Sequence, residues 1–153
     1  MNVPKIKFKK NILLLQGPIG RFFKHFSKLC RKNGSNVFKI NITVADAIFY
    51  NDKNTFFYKD GLENWGAYLK DFLAKNDIKQ IFLLSDARPM HSIAIEIAKE
   101  LNILAYVFEQ GYSRPNRITL ELYGVNGNTN LPKCEDIYRK HILLANKVEL
   151  AEV

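Results

Sequence analysis

Apolar runs alternate with helical repeats along most of this chain. The runs are continuous, which is typical of strands that are covered on both faces of a parallel sheet. The strands predicted from them are 11–16, 37–42, 78–84 and 103–108. Between the runs, apolar residues recur at three-and-four spacing and predict helices after Gly17-Pro18, over 64–75 and over 90–101.

The first helix is expected to hold Pro18 in its first turn, where the missing N–H costs nothing, and to end at Asn33-Gly34. Its predicted apolar face consists of Phe22, Phe23, Phe26, Leu29 and Cys30. Cys30 is therefore interpreted as a small core residue, and Trp65 of the second helix as a core anchor.

The pattern is looser between Thr43 and Gly61, where aromatic residues are mixed with Asn, Asp and Lys. This composition predicts a short hairpin, or an irregular loop with one added strand. The aromatic side chains could stack on bases or sugars, but a cover over the sheet edge is favoured.

Four strands that alternate with three helices predict an α/β domain with a mainly parallel sheet. In such sheets ligands bind at the carboxyl ends of strands, near the point where the strand order reverses. Three polar segments follow predicted strands and should meet at this edge. They are Gln16, residues 86–91 and residues 109–114. Residues 108–126 are interpreted as one long polar connection.

The carboxylates at these strand ends are the candidates for chemistry. Asp86 and Glu109 follow neighbouring strands, and Glu121 lies nearby in sequence. Two carboxylates can share acid and base work, or one can act as a nucleophile, when their environments separate their pKa values. A purely structural alternative stays open, in which Asp86 caps the following helix and Glu109 pairs with Arg88 or Arg114.

Cations and a glycine loop accompany the carboxylates. Arg88, Arg114 and Arg117 could bind a phosphate or carboxylate group through two hydrogen bonds each, and His91 could contact the same ligand. The segment 16–20 either contacts a ligand phosphate or is only a turn, since it is neither a P-loop nor GxGxxG.

Composition narrows the possible partners. Lys and Arg number 23 against 15 Asp and Glu, a net charge of +8, which suits an anionic partner or reflects general solubility. No nucleic-acid motif is present, and the spacing of His and Cys fits no metal site. The start of the chain has no signal-peptide pattern, and no apolar run is long enough to span a membrane.

Several short motifs, in order and spacing, resemble the capsule polysaccharide biosynthesis and export proteins of Gram-negative bacteria. The motifs are Gln16-Gly17-Pro18, Asn41 with Asp46, Asp86-Ala87-Arg88-Pro89-Met90-His91, residues 108–115, residues 118–121 and Gly124-Val125-Asn126-Gly127. The resemblance covers residues 11–133. It implies a Rossmann-like three-layer domain that is similar to one half of a two-domain glycosyltransferase. Residues 1–133 would form this domain, and residues 134–153 an extension that could begin a linker to a second domain.

The resemblance also implies an activity. Such proteins transfer Kdo from CMP-Kdo and build the Kdo linker on a phosphatidylglycerol-type glycolipid acceptor before capsule export. The implied catalytic residues are Asp86, Glu109 and Glu121, with no metal and no cofactor. The candidate substrate-binding residues are Gln16, Gly17, Arg88, His91, Tyr112, Arg114 and Asn126.

The expected location is cytoplasmic, peripheral at the anionic surface of the inner membrane, with capsule export proteins as partners. Because this chain is much shorter than such enzymes, it would supply the N-terminal, acceptor-side domain. The alternative is a non-catalytic membrane-surface module of the export machinery. The chain departs from the family pattern at Ser85, where Gly is usual, at Gln110, where an acid is common, and at Arg117, where an aromatic residue is usual.

Overall fold

A six-stranded, mainly parallel sheet forms the centre of the computed structural model, which describes residues 6–111, 118–129 and 134. The strands are β1 (Asn11–Leu14), β2 (Asn36–Asn41), β3 (Thr55–Phe57), β4 (Gln80–Leu84), β5 (Leu104–Gln110) and β6 (Ile118–Leu122). Their order is β3-β2-β1-β4-β5-β6, and only the β5–β6 pair is antiparallel. The predicted α/β class with a Rossmann-like three-layer arrangement is confirmed.

Four α-helices connect the strands within the described residues. They are α1 (Phe22–Lys32), α2 (Val44–Phe49), α3 (Leu62–Lys75) and α4 (Pro89–Glu100), and a single 3₁₀ turn (Asn126–Asn128) follows β6. Helices α3 and α4 pack on one face of the sheet, and α1 packs on the other.

The face under α3 and α4 holds the larger core. Trp65 is fully buried there and donates from its ring Nε1 to the carbonyl of Met90 at 2.8 Å, as expected of a core anchor. The face under α1 holds a cluster of aromatic rings, in which Phe26 packs edge-on against Phe82 and Phe108. Cys30 is buried beside this cluster, so the prediction of a small core residue is confirmed, and burial raises the pKa of its thiol to about 12.

Two local predictions about the first helix were wrong. Helix α1 begins at Phe22, so Pro18 lies in the loop before it. Leu29 is 49% exposed, while Ser27 of the same helix is fully buried.

The segment after β2 forms α2 and then β3, which is parallel to β2, so the added strand is present but the hairpin is not. A capping box at Thr43 stabilises the short α2 helix, because the Thr43 hydroxyl and the Asp46 carboxylate each accept from the other's backbone N–H.

The segment 108–126 is not one long connection. Strand β5 continues to Gln110, and β6 returns beside it, pairing Glu109 with Thr119 and Val107 with Glu121. Two of the candidate carboxylates therefore lie within strands. Their backbones are fixed by the sheet ladder, which positions a side chain more firmly than a loop does.

Candidate active site at the carboxyl edge of the sheet

The strand order reverses between β1 and β4, and the chain leaves β1 in one direction and β4 in the other. Rossmann-like folds bind ligands in the crevice at this point. Here the backbone of Gln16 accepts a hydrogen bond from the N–H of Leu84, so the loops after the two strands begin side by side. The three polar segments predicted from the sequence all begin at this edge.

The loop after β4 turns sharply at Ser85, whose φ of +63° lies in the left-handed region that favours glycine. Its N–H donates to the carbonyl of Phe108 at 2.9 Å, which ties the loop to β5. After this turn, Asp86 accepts hydrogen bonds from residues that follow β6, while Arg88 lines a pocket beside β1.

His91 stabilises this loop through hydrogen bonds from its imidazole ring. Its ring is fully buried, and Nδ1 lies 2.8 Å from the carbonyl oxygen of Leu84 and 2.9 Å from that of Ser85. Two acceptors at one nitrogen require that Nδ1 carry the proton. Burial lowers the pKa of His91 to about 4, so the ring is neutral at neutral pH. His91 therefore orients the turn, and its direct contact with substrate stays a prediction.

We expect the low pKa of His91 to make the protein lose stability in mild acid. The unfolded ring has its pKa near 6.5, so the histidine contributes fully above that pH and progressively less as the pH falls toward 4. The free energy of unfolding should fall by about 2 kcal/mol between pH 7.5 and pH 5. Urea unfolding at these two values should show a smaller fall in His91→Asn, which keeps a donor but cannot titrate. Equal falls in both proteins would contradict the assignment.

Asp86 does not cap α4, because the N-cap of that helix is Arg88 and no side chain bonds there. Instead its Oδ2 accepts from the backbone N–H of Val125 and from the side-chain Nδ2 of Asn128, both at 3.0 Å. Asp86 thus anchors the 3₁₀ turn that follows β6. The helix-capping alternative was wrong.

Glu109 bonds to the same turn more loosely. Its Oε2 lies 3.5 Å from Nδ2 of Asn126, and its Oε1 accepts from the neighbouring N–H of Gln110 at 3.0 Å. The alternative pairing of Glu109 with Arg88 is absent from the described part of the chain. Tyr112, Arg114 and Arg117 lie outside the described residues.

Glu121 completes the group. Its Oε2 accepts from the Thr129 hydroxyl at 2.5 Å. Val107 packs in the core under α3 and α4, and both Glu109, two residues further, and Glu121, directly opposite, project from that same face of the sheet. The two glutamates are diagonal neighbours across the strands, with Cα atoms about 7–8 Å apart by general sheet geometry.

Residues 125–129 therefore bring the three predicted carboxylates together, and we call this group the carboxylate cluster: Asp86, Glu109, Glu121 and the segment 125–129 that they hold. Asn126, a predicted binding residue, has a φ of +53° and its exposed side chain bonds Glu109. The sequence placed these residues at one edge correctly. It did not reveal that all three carboxylates contact one short turn.

A second site lies on the opposite face of the same edge. It is a pocket of about 310 Å³, which we call the β1–β2 pocket, and it is lined by Gln16, Gly17, Pro18, Ile19, Gly20, Phe23, Lys39, Thr43, Ala45, Asp46, Phe49, Tyr50 and Arg88. Three predicted substrate-binding residues, Gln16, Gly17 and Arg88, meet here. Gly17 is required by packing, since a Cβ would lie 2.6 Å from the ring of Phe23.

Sequence reasoning missed Lys39, the buried cation of this pocket. Lys39 is 2% exposed, and its Nζ donates to the carbonyl of Ile40 at 2.8 Å. Burial lowers its pKa to about 8, an effect that the charge of Asp46 partly opposes. A signal existed in the sequence, because Lys39 and Asn41 are both polar in a strand that the apolar pattern predicts to be covered on both faces.

Among the described residues, no group of three or more His, Cys, Asp or Glu side chains could hold a metal ion. None of the helices in the described ranges combines the length and apolar character needed to cross a bilayer.

Comparisons with known proteins match part of this chain to one protein family. The family described as "Capsule polysaccharide biosynthesis protein" matches residues 79–150, which include β4 and the whole carboxylate cluster. The β1–β2 pocket contributes only Arg88 to that match.

Individual relatives agree with the family match. Over 131 residues the chain is 37% identical to the capsule polysaccharide modification protein LipB of Neisseria meningitidis, from serogroups A and B alike, covering 84% of this chain and 31% of LipB. It is 34% identical to the capsule polysaccharide export protein KpsS of Escherichia coli, covering 86% of this chain and 34% of KpsS. The chain thus spans about a third of the length of these curated relatives.

Proposed function

The chain belongs to the capsule polysaccharide biosynthesis family, and on that premise we propose that it acts in capsule assembly as the acceptor-side domain of a Kdo glycosyltransferase. It would act with CMP-Kdo as donor and a phosphatidylglycerol-type glycolipid as acceptor. The observation that carries the proposal is the carboxylate cluster, which lies at the carboxyl edge of the sheet and inside the family match.

The hydrogen bonds suggest separate roles for two of the three carboxylates, Asp86 and Glu109. Asp86 accepts two bonds at one oxygen, one of them from the buried backbone of Val125, so its role is to hold the turn. Glu109 forms the weakest hydrogen bonds, a 3.5 Å contact to the exposed amide of Asn126 and a bond from the N–H of its neighbour Gln110. A half-buried carboxylate of this kind can exchange its partners for substrate, so we assign the acid–base or nucleophilic role to Glu109.

Transfer also requires a site that binds the sugar-nucleotide donor. In the two-domain arrangement that the resemblance implies, the sugar nucleotide is held largely by the other domain. The cluster would then face the acceptor and the anomeric carbon across a cleft. Positioning of both reactants in one cleft is itself a large part of such catalysis.

A chimera tests the role in capsule assembly. The matched 131-residue segment of Escherichia coli KpsS would be replaced by that of this chain and expressed in cells that lack KpsS. We expect surface capsule to be restored, with intact KpsS and an empty vector as the two controls. A chimera that accumulates to the level of intact KpsS without restoring capsule would contradict the proposal.

Contact with an anionic membrane surface, the second proposal, is favoured by exposed apolar side chains near the pocket. Ile19, Val44 and Ile48 are 89%, 80% and 72% exposed, and Arg21 and Lys24 are exposed nearby in sequence. Apolar side chains inserted among lipids, with basic residues at the head groups, would hold the protein at the cytoplasmic side of the inner membrane beside the export proteins.

Vesicle sedimentation with Ile48→Glu tests this contact. We expect about a tenfold loss of binding to vesicles that contain anionic lipid, because one apolar contact is lost and a repelled charge is added. Leu101→Glu is the matched control, since Leu101 is 43% exposed at the end of α4, on the opposite edge of the sheet. Equal binding of the wild type to neutral and anionic vesicles would refute the proposal.

A further inference from the structure

The β1–β2 pocket contains a cation whose hydrogen bonds are incomplete. Lys39 lies on β2 opposite Leu14 of β1, and so projects toward the α1 face, where Phe23 and Tyr50 also pack. An ammonium group has three N–H donors, and among the residues that the structure describes only the carbonyl of Ile40 accepts from one of them. A charge buried to this extent is costly unless an opposite charge or several acceptors surround it.

A second cation lines the same pocket. Arg88 is half-buried at the start of α4, and within the described residues it forms no ion pair. The acid that lines the pocket is Asp46, whose Oδ2 already accepts from the N–H and hydroxyl of Thr43 and from the N–H of Ile42. The pocket lining therefore carries two cations and one carboxylate, which gives a local charge of 2 − 1 = +1.

Neutral donors surround these charges. The amide of Gln16 lies 3.4 Å from the hydroxyl of Thr43, and both line the pocket, so either group could turn toward a ligand. Tyr50 accepts from the guanidinium of Arg31 at 3.2 Å, so its hydroxyl hydrogen is available for another acceptor. A volume of about 310 Å³ is at the lower end of the range for small-molecule sites.

We infer that the β1–β2 pocket binds a small ligand through an oxyanion group, which is held between the Lys39 ammonium and the Arg88 guanidinium. The oxyanion supplies the acceptors that the buried ammonium lacks, and the planar Arg88 guanidinium can bind it through two parallel bonds. The inference is independent of sugar transfer. The pocket lies on the other face of the sheet from the carboxylate cluster, and Lys39 lies outside the family match.

Calorimetric titration of the purified chain with inorganic phosphate tests the site. We expect saturable binding to the wild type and at least a tenfold weaker association in Lys39→Met, the size expected for losing a charge-assisted hydrogen bond. Lys28→Met is the matched control, because it removes the same charge from the exposed side of α1. It should bind phosphate as the wild type does.

Arg88→Gln is the second variant, and it should also bind at least tenfold more weakly. Acetate and glycerol phosphate, titrated separately, distinguish a carboxylate from a phosphate group as the preferred oxyanion. Tighter binding of any of these three probes by the wild type than by both variants supports the inference. No saturable binding of any probe, or equal binding by Lys39→Met and Lys28→Met, would overturn it, whatever the outcome of transfer assays.

Discussion

Replacing Asp86 with Ala is expected to destabilise the protein by about 2 kcal/mol, because it leaves a buried backbone donor without a partner. Val125 is fully buried, and its N–H donates to Oδ2 of Asp86 at 3.0 Å. The same oxygen also accepts from Asn128. Loss of Asp86 therefore breaks two contacts between the loop after β4 and the turn after β6, to residues 39 and 42 positions further along the chain.

Urea unfolding measures this loss, with Asp86→Asn and Glu100→Ala as comparators. Asp86→Asn keeps a side-chain oxygen and should lose about half as much stability, since the bond is no longer charge-assisted. Glu100 pairs with Lys70 on an exposed surface, so its replacement should change the free energy of unfolding by less than about 0.5 kcal/mol. Asp86→Ala with the stability of the wild type would remove Asp86 from its role in holding the turn.

Replacing Glu109 with Gln is expected to have the largest effect on activity, a loss of about 100-fold or more in Kdo transfer, the range for removal of a general acid or base. The replacement preserves shape, and the amide can still accept from the N–H of Gln110. Stability should therefore change little. The expected combination, lost transfer without lost stability, is the reverse of that expected for a purely structural carboxylate.

Transfer by Glu109→Gln would be measured in the KpsS chimera, with CMP-Kdo and a lipid acceptor, by mass spectrometry of the product. Glu100→Gln is the matched control, because it removes a carboxylate from the far end of α4. Transfer at the wild-type rate by Glu109→Gln would exclude Glu109 as acid, base or nucleophile. Of the two proposed roles, contact with the membrane surface would then be the better supported.

The strongly apolar segments were predictable from the sequence, because burial on both faces requires continuous apolar runs. Strands β1, β2, β4 and β5 were all found this way, with ends that differ by a few residues. Two elements were not. Helix α2 has only six residues, too few to show a helical repeat, and β6 is a short edge strand with half-buried alternating polar residues.

The site was predictable in outline but not in its contacts. Parallel strands necessarily bring their carboxyl ends to one edge, so the convergence of Asp86 with Glu109 followed from the strand prediction alone. The partners of each carboxylate depend on the antiparallel return of β6, which the sequence did not reveal. Lys39 was not predicted because a lysine in a strand is usually exposed, whereas in the folded protein it is buried where it lines the β1–β2 pocket.

Sugar transfer at the carboxylate cluster can be measured directly by supplying the second domain as a separate protein. The purified chain would be mixed with CMP-Kdo, a lyso-phosphatidylglycerol acceptor and a separately supplied second domain from KpsS, and the acceptor mass recorded. We expect a product one Kdo residue heavier only when both proteins are present, and none when the chain carries Glu109→Gln. Equal product from the second domain alone, or from Glu109→Gln, would contradict the proposed transfer at this cluster.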